Sequence, residues 1–300
     1  LPRREDTVLS LRGSFVALAT PFRDGKVDEP ALRSLVRWQL EKGTDGLVPC
    51  GTTGEGATLL PDESVRVVRI CVEEARGRVP VVAGCGTNST AATIENVLRA
   101  KETGADAALV VTPYYNKPTQ EGLFRHFEAV AARGGLPVLV YNVPSRTSVD
   151  ILPETLGRLS RVPGIAGVKE ASGNVVRVAE IQERCEGRPF AILAGDDMFT
   201  LATLAMGGQG VVSVVANVAP GDLAALCDDF FAGRLEAARK AQVRFAPLVR
   251  ALFCETNPLP VKHALFRMGK IGPELRLPLV PVSEKGAAQV DAALEAYGLT

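Results

Sequence analysis

The chain has 300 residues, 46% of them hydrophobic and 23% charged, enough for one large α/β domain or two ordinary ones. Its 34 basic and 34 acidic residues cancel, and no basic block or acidic tail stands out, so nothing favours nucleic acid or an anionic membrane as a partner. Six scattered cysteines without a CxxC pair, and only two histidines, argue against a metal cluster and fit a reducing cytoplasm.

Leu1–Ser10 is polar and charged, lacks an apolar signal core and reads as an N-terminal extension without a role. No later segment offers the long uncharged run of a membrane span. From there short apolar runs alternate with longer amphipathic stretches. Strands are predicted at Phe15–Ala19, Gly46–Pro49, Val79–Ala83, Ala107–Val111, Pro137–Tyr141, Ile165–Val168, Phe190–Ala194 and Gly210–Val214. Helices are predicted between them, as at Pro30–Lys42, Pro61–Arg76, Thr90–Thr103, Thr119–Arg133 and Asn174–Arg184. Pro61-Asp62-Glu63 puts proline and acids into a first turn, and Asn88-Ser89-Thr90 offers caps. After Val218 only helical patterns remain: Pro220–Ala232, Arg234–Leu252, Leu259–Met268 and Lys285–Tyr297.

Strand and helix repeating with a period of about 25–30 residues is the pattern of a (β/α)8 TIM barrel. Residues 11–232 are assigned to the barrel and 233–300 to a C-terminal helical region. An open doubly wound sheet is the alternative, but the first β-α turn carries no GxGxxG fingerprint.

Working residues in such a barrel come from the C-terminal ends of strands. Here those ends run into Gly51-Thr52-Thr53-Gly54-Glu55-Gly56, Pro113–Pro118, Tyr141–Thr147, Lys169, Gly195-Asp196-Asp197 and Val211-Val212-Ser213. Lys169 closes the buried run Gly164–Val168. A lysine in water, with a pKa of about 10.4, is a poor nucleophile, and partial burial raises its neutral fraction. Lys169 is therefore a candidate Schiff-base nucleophile, against the plainer reading that it pairs with Glu170 or reaches solvent. The Gly51–Gly56 turn suits a carboxylate through Thr52 and Thr53 but lacks a P-loop ending. Tyr141 is either a core tyrosine or a proton shuttle assisted by Thr53. Arg146 is either a solvated cation or a fork for a substrate carboxylate. Asp196-Asp197 suits helix capping better than a metal. Lys117 and Lys262, the rival lysines, read as lying in polar or Pro-rich loops, and His126 as a packing residue.

Together, GTTGE, YYNKP, YNVPSRT, GVKEASG, GDD, GVVSVVANV and Asn257-Pro258-Leu259-Pro260-Val261-Lys262 make the chain similar, over about residues 11–285, to the dihydrodipicolinate synthase family. That family belongs to the class I pyruvate-dependent aldolase superfamily. The resemblance implies that Lys169 forms an imine with pyruvate, whose enamine attacks aspartate-4-semialdehyde to give 4-hydroxy-tetrahydrodipicolinate, with no other cofactor and no metal. It implies that Thr52 and Thr53 hold the pyruvate carboxylate and that Tyr141 is the acid/base, relayed through Thr53 to Tyr115 of a neighbouring subunit. Arg146 would bind the carboxylate of the aldehyde, and Gly195 and Val212 would line the site. A homotetramer, built as a dimer of dimers, follows from the same likeness. Sialic acid lyases and keto-deoxy sugar acid aldolases share the lysine and tyrosine but differ at Arg146. A catalytically idle 2-oxo-acid sensor would have no need of the relay.

One departure bears on regulation. Asn88 and Tyr114 match the lysine-inhibited members, but Pro61, Ser64 and Ala92 replace basic or acidic side chains. Ala92 in particular supplies no counter-ion for a lysine α-ammonium. Calorimetric titration with L-lysine is expected to show weak binding or none; micromolar affinity would contradict this reading.

Overall fold

In each strand of a closed barrel alternate side chains face the axis and the helices, so a five-residue apolar strand feeds two cores at once. A computed structural model, describing residues 9–300, shows this division; Leu1–Val8 of the N-terminal extension lie outside the described residues. From β1 (Gly13–Ala17), Phe15 and Ala17 join an inner cluster with Val48, Val82, Leu109, Leu139, Leu193 and Val212. Val16, between them, joins a larger outer cluster under the helices.

The other barrel strands are β4 (Gly46–Val48), β5 (Val82–Gly84), β6 (Ala107–Val111), β7 (Val138–Asn142), β8 (Ile165–Glu170), β9 (Ala191–Ala194) and β10 (Gly210–Ser213). Two short strands, β2 (Phe22–Arg23) and β3 (Lys26–Val27), form a hairpin that the sequence reading did not place. The eight barrel strands run in the order β4-β1-β10-β9-β8-β7-β6-β5, each pair parallel. Between β4 and β5 the ring is closed by the Leu47–Val81 bridge, with Leu47 N–H donating to Pro80 O (3.0 Å) and Gly84 N–H to Pro49 O (2.9 Å). Gly46 is required inside the ring, because a Cβ there would stand 2.1 Å from the Phe15 ring.

At the N-terminal face, side chains terminate strands. Asp45 accepts from Ser14 N–H (2.7 Å), Asp106 from Val81 N–H (2.8 Å) and Gln209 from Ile192 N–H (2.7 Å). Stability concentrates at this end and chemistry at the other.

The predicted helices form at Glu29–Glu41, Pro61–Ala75, Thr90–Glu102, Gln120–Gly134, Arg177–Cys185, Pro220–Phe231, Leu235–Leu252, Leu259–Arg267 and Glu284–Tyr297. Pro61 opens its helix with Asp62 and Glu63 in the first turn, and Glu63 accepts from Leu60 N–H (2.9 Å). The helix Pro153–Leu159 is an addition, as are short turns at Pro144–Thr147 and Thr200–Ala205. Phe245, Leu248, Val261, Leu265, Val290 and Leu294 of the C-terminal helices belong to the same outer cluster as the barrel. Among the described residues no helix is long and apolar enough to cross a membrane.

Helices Glu29–Glu41 and Pro61–Ala75 are stapled by the buried Glu74, which accepts from Arg37 Nε (2.7 Å) and Arg33 (2.8 Å). The hydrogen bond from Arg37 is the main reason its carboxyl is held down at about 2, with Arg33 adding to it. A depressed carboxylate pKa stabilises the fold above the ordinary value, and that contribution is lost as pH falls toward the folded one. Glu74→Gln is expected to lower Tm by about 2–4 °C at pH 7. Its deficit against the parent should shrink in thermal melts between about pH 5 and pH 3; a deficit independent of pH would refute the assignment.

Candidate active site

The parallel register sets Tyr141 of β7 beside Lys169 of β8, and Val111 of β6 beside Tyr141. Lys169 was expected to terminate its strand; β8 instead continues to Glu170, with Lys169 one residue inside. Tyr141 faces the barrel interior, and the Lys169 Nζ rests 4.2 Å from its ring centroid. Lys169 is 6% exposed and, among the described residues, makes neither an ion pair nor a hydrogen bond. The alternative pairing with Glu170 does not occur. Glu170 points outward, where it accepts from Asn142 Nδ2 (3.1 Å) and Ser172 N–H (2.7 Å) beside Arg177 (3.5 Å).

Facing this pair across the rim is the Gly51–Gly56 turn. It is pinned by its own backbone, Gly56 N–H donating to Gly51 O (3.1 Å), and by Thr20 Oγ1, which donates to Gly54 O (2.7 Å). Thr53 is buried, and its hydroxyl accepts from Asn257 Nδ2 (3.0 Å). The Asn257 carbonyl in turn accepts from the Arg146 guanidinium (3.1 Å). Asn257 thus links two predicted binding residues, a function the sequence reading did not assign. Its only local signal was the Asn-Pro step.

A cavity of about 570 Å³ opens here, lined by Thr52, Val111, Tyr141, Arg146, Thr147 and Asn257 among others. Lys169 and Thr53 do not line it themselves; each touches a residue that does. Gly195 closes against the lysine, since a Cβ there would lie 3.1 Å from Lys169 Cε and 2.6 Å from Ala171 Cβ. Val212 is part of the inner core. Tyr115 is not brought into the site of its own chain: it is 88% exposed on a loop where its φ is +72°.

The remaining candidates are accounted for structurally. Asp196 caps the turn Asp197–Phe199 by accepting from Met198 N–H (2.9 Å). Asp197 is buried and accepts from Ser213 Oγ, Val214 N–H (3.0 Å) and Val215 N–H (3.2 Å), while burial pushes its carboxyl up to about 6. His126, bonded to Thr90 Oγ1 (2.9 Å), is pushed down to about 4 by burial and is neutral at pH 7. Cys50 lines the cavity, but burial pushes its thiol up to about 12, which disqualifies it as a nucleophile. Lys117 is exposed. Lys262 requires a correction: it lies on the helix Leu259–Arg267, not in a loop, and its side chain is only 1% exposed. It donates to Glu55 Oε1 (2.5 Å), and burial lowers its pKa against the opposing pull of Glu55.

These features define a (β/α)8 barrel with a lysine-centred site at the C-terminal rim. The profile of the Dihydrodipicolinate synthetase family matches residues 10–297, and the chain belongs to that family. It is 53% identical to the 4-hydroxy-tetrahydrodipicolinate synthase of Nitratidesulfovibrio vulgaris (strain DSM 19637 / Miyazaki F), over 97% of this chain and 100% of the relative. The dihydrodipicolinate synthase structure from Thermotoga maritima superposes with a TM-score of 0.94 at 44% identity, covering 96% of this chain and 99% of that one. A monomeric dihydrodipicolinate synthase variant gives the same TM-score, 0.94, at 44% identity over 96% of this chain and 97% of its own.

The contact at Gly195 makes a specific expectation. Gly195→Ala sets a methyl against Ala171, the Glu170 carbonyl and the lysine side chain, so the end of β8 that carries Lys169 must shift. A misplacement of about 1 Å costs roughly 10²-fold in turnover. Steady-state kinetics check this, and a kcat within twofold of the parent would show that Lys169 has room to spare.

Proposed function

We propose that the chain condenses pyruvate with L-aspartate-4-semialdehyde to give 4-hydroxy-tetrahydrodipicolinate, a lyase-class step of lysine and diaminopimelate biosynthesis. The relatives that match nearly its whole length carry that activity in their names, which supports the reaction. The observation that carries the site is Lys169, a buried lysine that rests on an aromatic face instead of meeting an acid. A cation in that position is not used to hold the fold together.

Lys169 Nζ adds to the ketone of pyruvate, and loss of water gives the imine. Protonated, the imine draws electrons from the adjacent methyl, which releases a proton to become the enamine. The enamine carbon bonds to the aldehyde carbon, whose oxygen takes up a proton. Attack of the substrate amine on the imine carbon then closes the ring and frees the lysine. Tyr141, stacked under the amine, is the acid/base for these transfers, with Thr53 as relay. Thr52 and Thr53 hold the pyruvate carboxylate through the rigid Gly51–Gly56 turn. Arg146 lines the cavity and takes the second carboxylate, which favours an amino-acid aldehyde over a polyol. Gly195, packed against the lysine, and Val212, in the inner core, support the site from beneath. The imine itself is the electron sink, so this reading assigns no metal or organic cofactor.

The exposure of Tyr115 supports completion of the site by a neighbouring copy, hence a dimer at least and a homotetramer as the full assembly. Sedimentation is a needed check, since a monomeric variant exists among the similar structures. Six free cysteines, five of them buried, suit a reducing cytoplasm.

Borohydride reduction in the presence of pyruvate, followed by peptide mass mapping, should place a reduced pyruvyl adduct on Lys169. Lys169→Ala should lose both adduct and turnover. An adduct on Lys117 or Lys262, or none, would overturn the reading.

A further inference from the structure

The Glu55–Lys262 pair is the most deeply buried ion pair among the described residues, with side chains 0% and 1% exposed, and the chemistry above does not use it. Both Glu55 carboxylate oxygens are occupied, one by Lys262 Nζ (2.5 Å) and the other by Arg276 N–H (3.0 Å), leaving none for a substrate. Lys262 Nζ also lies 4.4 Å from the Phe22 ring centroid, with Arg276 at 4.3 Å from the same ring. The Arg276 guanidinium then grips Glu63 (2.5 and 2.6 Å) and Gly25 O (2.7 Å). The network thus joins the hairpin after β1, the loop after β4, and the segment 262–276.

Glu55 is two residues beyond Thr53, in a turn where its own φ is +51°. Such a backbone is unfavourable for a side-chain-bearing residue and persists only where surroundings hold it. Two apolar side chains would fill the same space without desolvating two charges, so stability alone does not account for the pair. What an ion pair adds is one fixed geometry. It anchors the far end of the turn to the helix Leu259–Arg267, while Asn257 anchors Thr53 itself.

We propose that Glu55 and Lys262 are positioning residues for 2-oxo-acid binding: their ion pair sets the pitch of the Gly51–Gly56 turn so that Thr52 and Thr53 converge on the pyruvate carboxylate. This rests on the reading that Thr52 and Thr53 hold that carboxylate. Its signature is selective, falling on pyruvate and sparing the aldehyde, whose partner Arg146 stands on another loop.

The test compares Glu55→Gln, the double variant Glu55→Gln/Lys262→Met, and Thr53→Val, all in the full-length enzyme and assayed at least about 10 °C below each Tm. Thr53→Val reports on the underlying reading. Glu55→Gln is near-isosteric but leaves the lysine without an anion; the double variant removes both charges and should regain most of any lost Tm. The expected result is a pyruvate KM raised about threefold or more in both Glu55 variants, with the aldehyde KM within twofold of the parent. The double variant decides if the single one does not fold. A pyruvate KM raised less than threefold, or an equal rise for both substrates, would overturn the proposal while leaving Thr53→Val free to support the reading. Loss of the pyruvate effect in Thr53→Val would instead bring down the reading itself.

Discussion

The register between β7 and β8 decides most of what this protein can do. Pairing Tyr141 with Lys169 puts both on the inner face, and the pleat then sends their successors, Asn142 and Glu170, outward. Those two are not idle: Asn142 Nδ2 donates to Glu170 and to Asp150 (2.9 Å), and Arg177 pairs with Asp150 (2.9 Å). The inner pair is therefore held from behind by a polar knot that also secures the end of the Arg146 loop. A slip of one residue would turn the lysine into the helix layer and bury Glu170 on the axis. From Leu139 onward, past the register shift at Val138, the pairing of the sheet and the hydrogen bonds of the knot agree on one register.

Buried charge is handled in two ways. Glu55, Lys262, Glu74, Arg177, Glu170 and Asp197 each have partners that supply or accept hydrogen bonds, which is the ordinary condition for a charge out of water. Lys169 is met by an aromatic ring and by no carboxylate among the described residues, whereas Lys262, which also faces a ring, is held by Glu55. A carboxylate partner would hold the amine protonated and tether it. A ring neither tethers the amine nor occupies its nitrogen with a hydrogen bond. The same contrast separates Lys169 from Lys262, two buried lysines in one molecule with opposite fates.

Much of this was legible in the sequence because barrel strands are short, apolar and regularly spaced. The predicted strand Ala107–Val111 matches residue for residue, and most others fall within two positions. Val79–Ala83 read too early, because the apolar run begins before the chain joins the ring at the Val81 bridge and the strand Val82–Gly84. The hairpin β2–β3 escaped because two-residue strands have no periodicity, although Asp24-Gly25 is a turn signal. Lys262 was misplaced for a different reason. Pro258 and Pro260 just before it suggest a loop, yet Pro260 sits in the first turn of a helix, where proline is tolerated, and its partner Glu55 is 207 residues away. Local pattern finds the residues that begin a site and is blind to those that brace it across the chain.

That blindness bears on where the site ends. The barrel supplies Lys169, Tyr141 and the Gly51–Gly56 turn, but none of these is positioned by barrel contacts alone. Asn257, beyond the last strand, donates from its side chain to Thr53 and accepts through its backbone from Arg146. One residue thereby ties the group proposed for the pyruvate carboxylate to the group proposed for the aldehyde carboxylate. The distance between two substrates that must form a carbon–carbon bond is then set by a short covalent path within a single amino acid, not by the sum of two loops. The C-terminal helices, which share the barrel's outer core, are on this view the frame that keeps that path rigid.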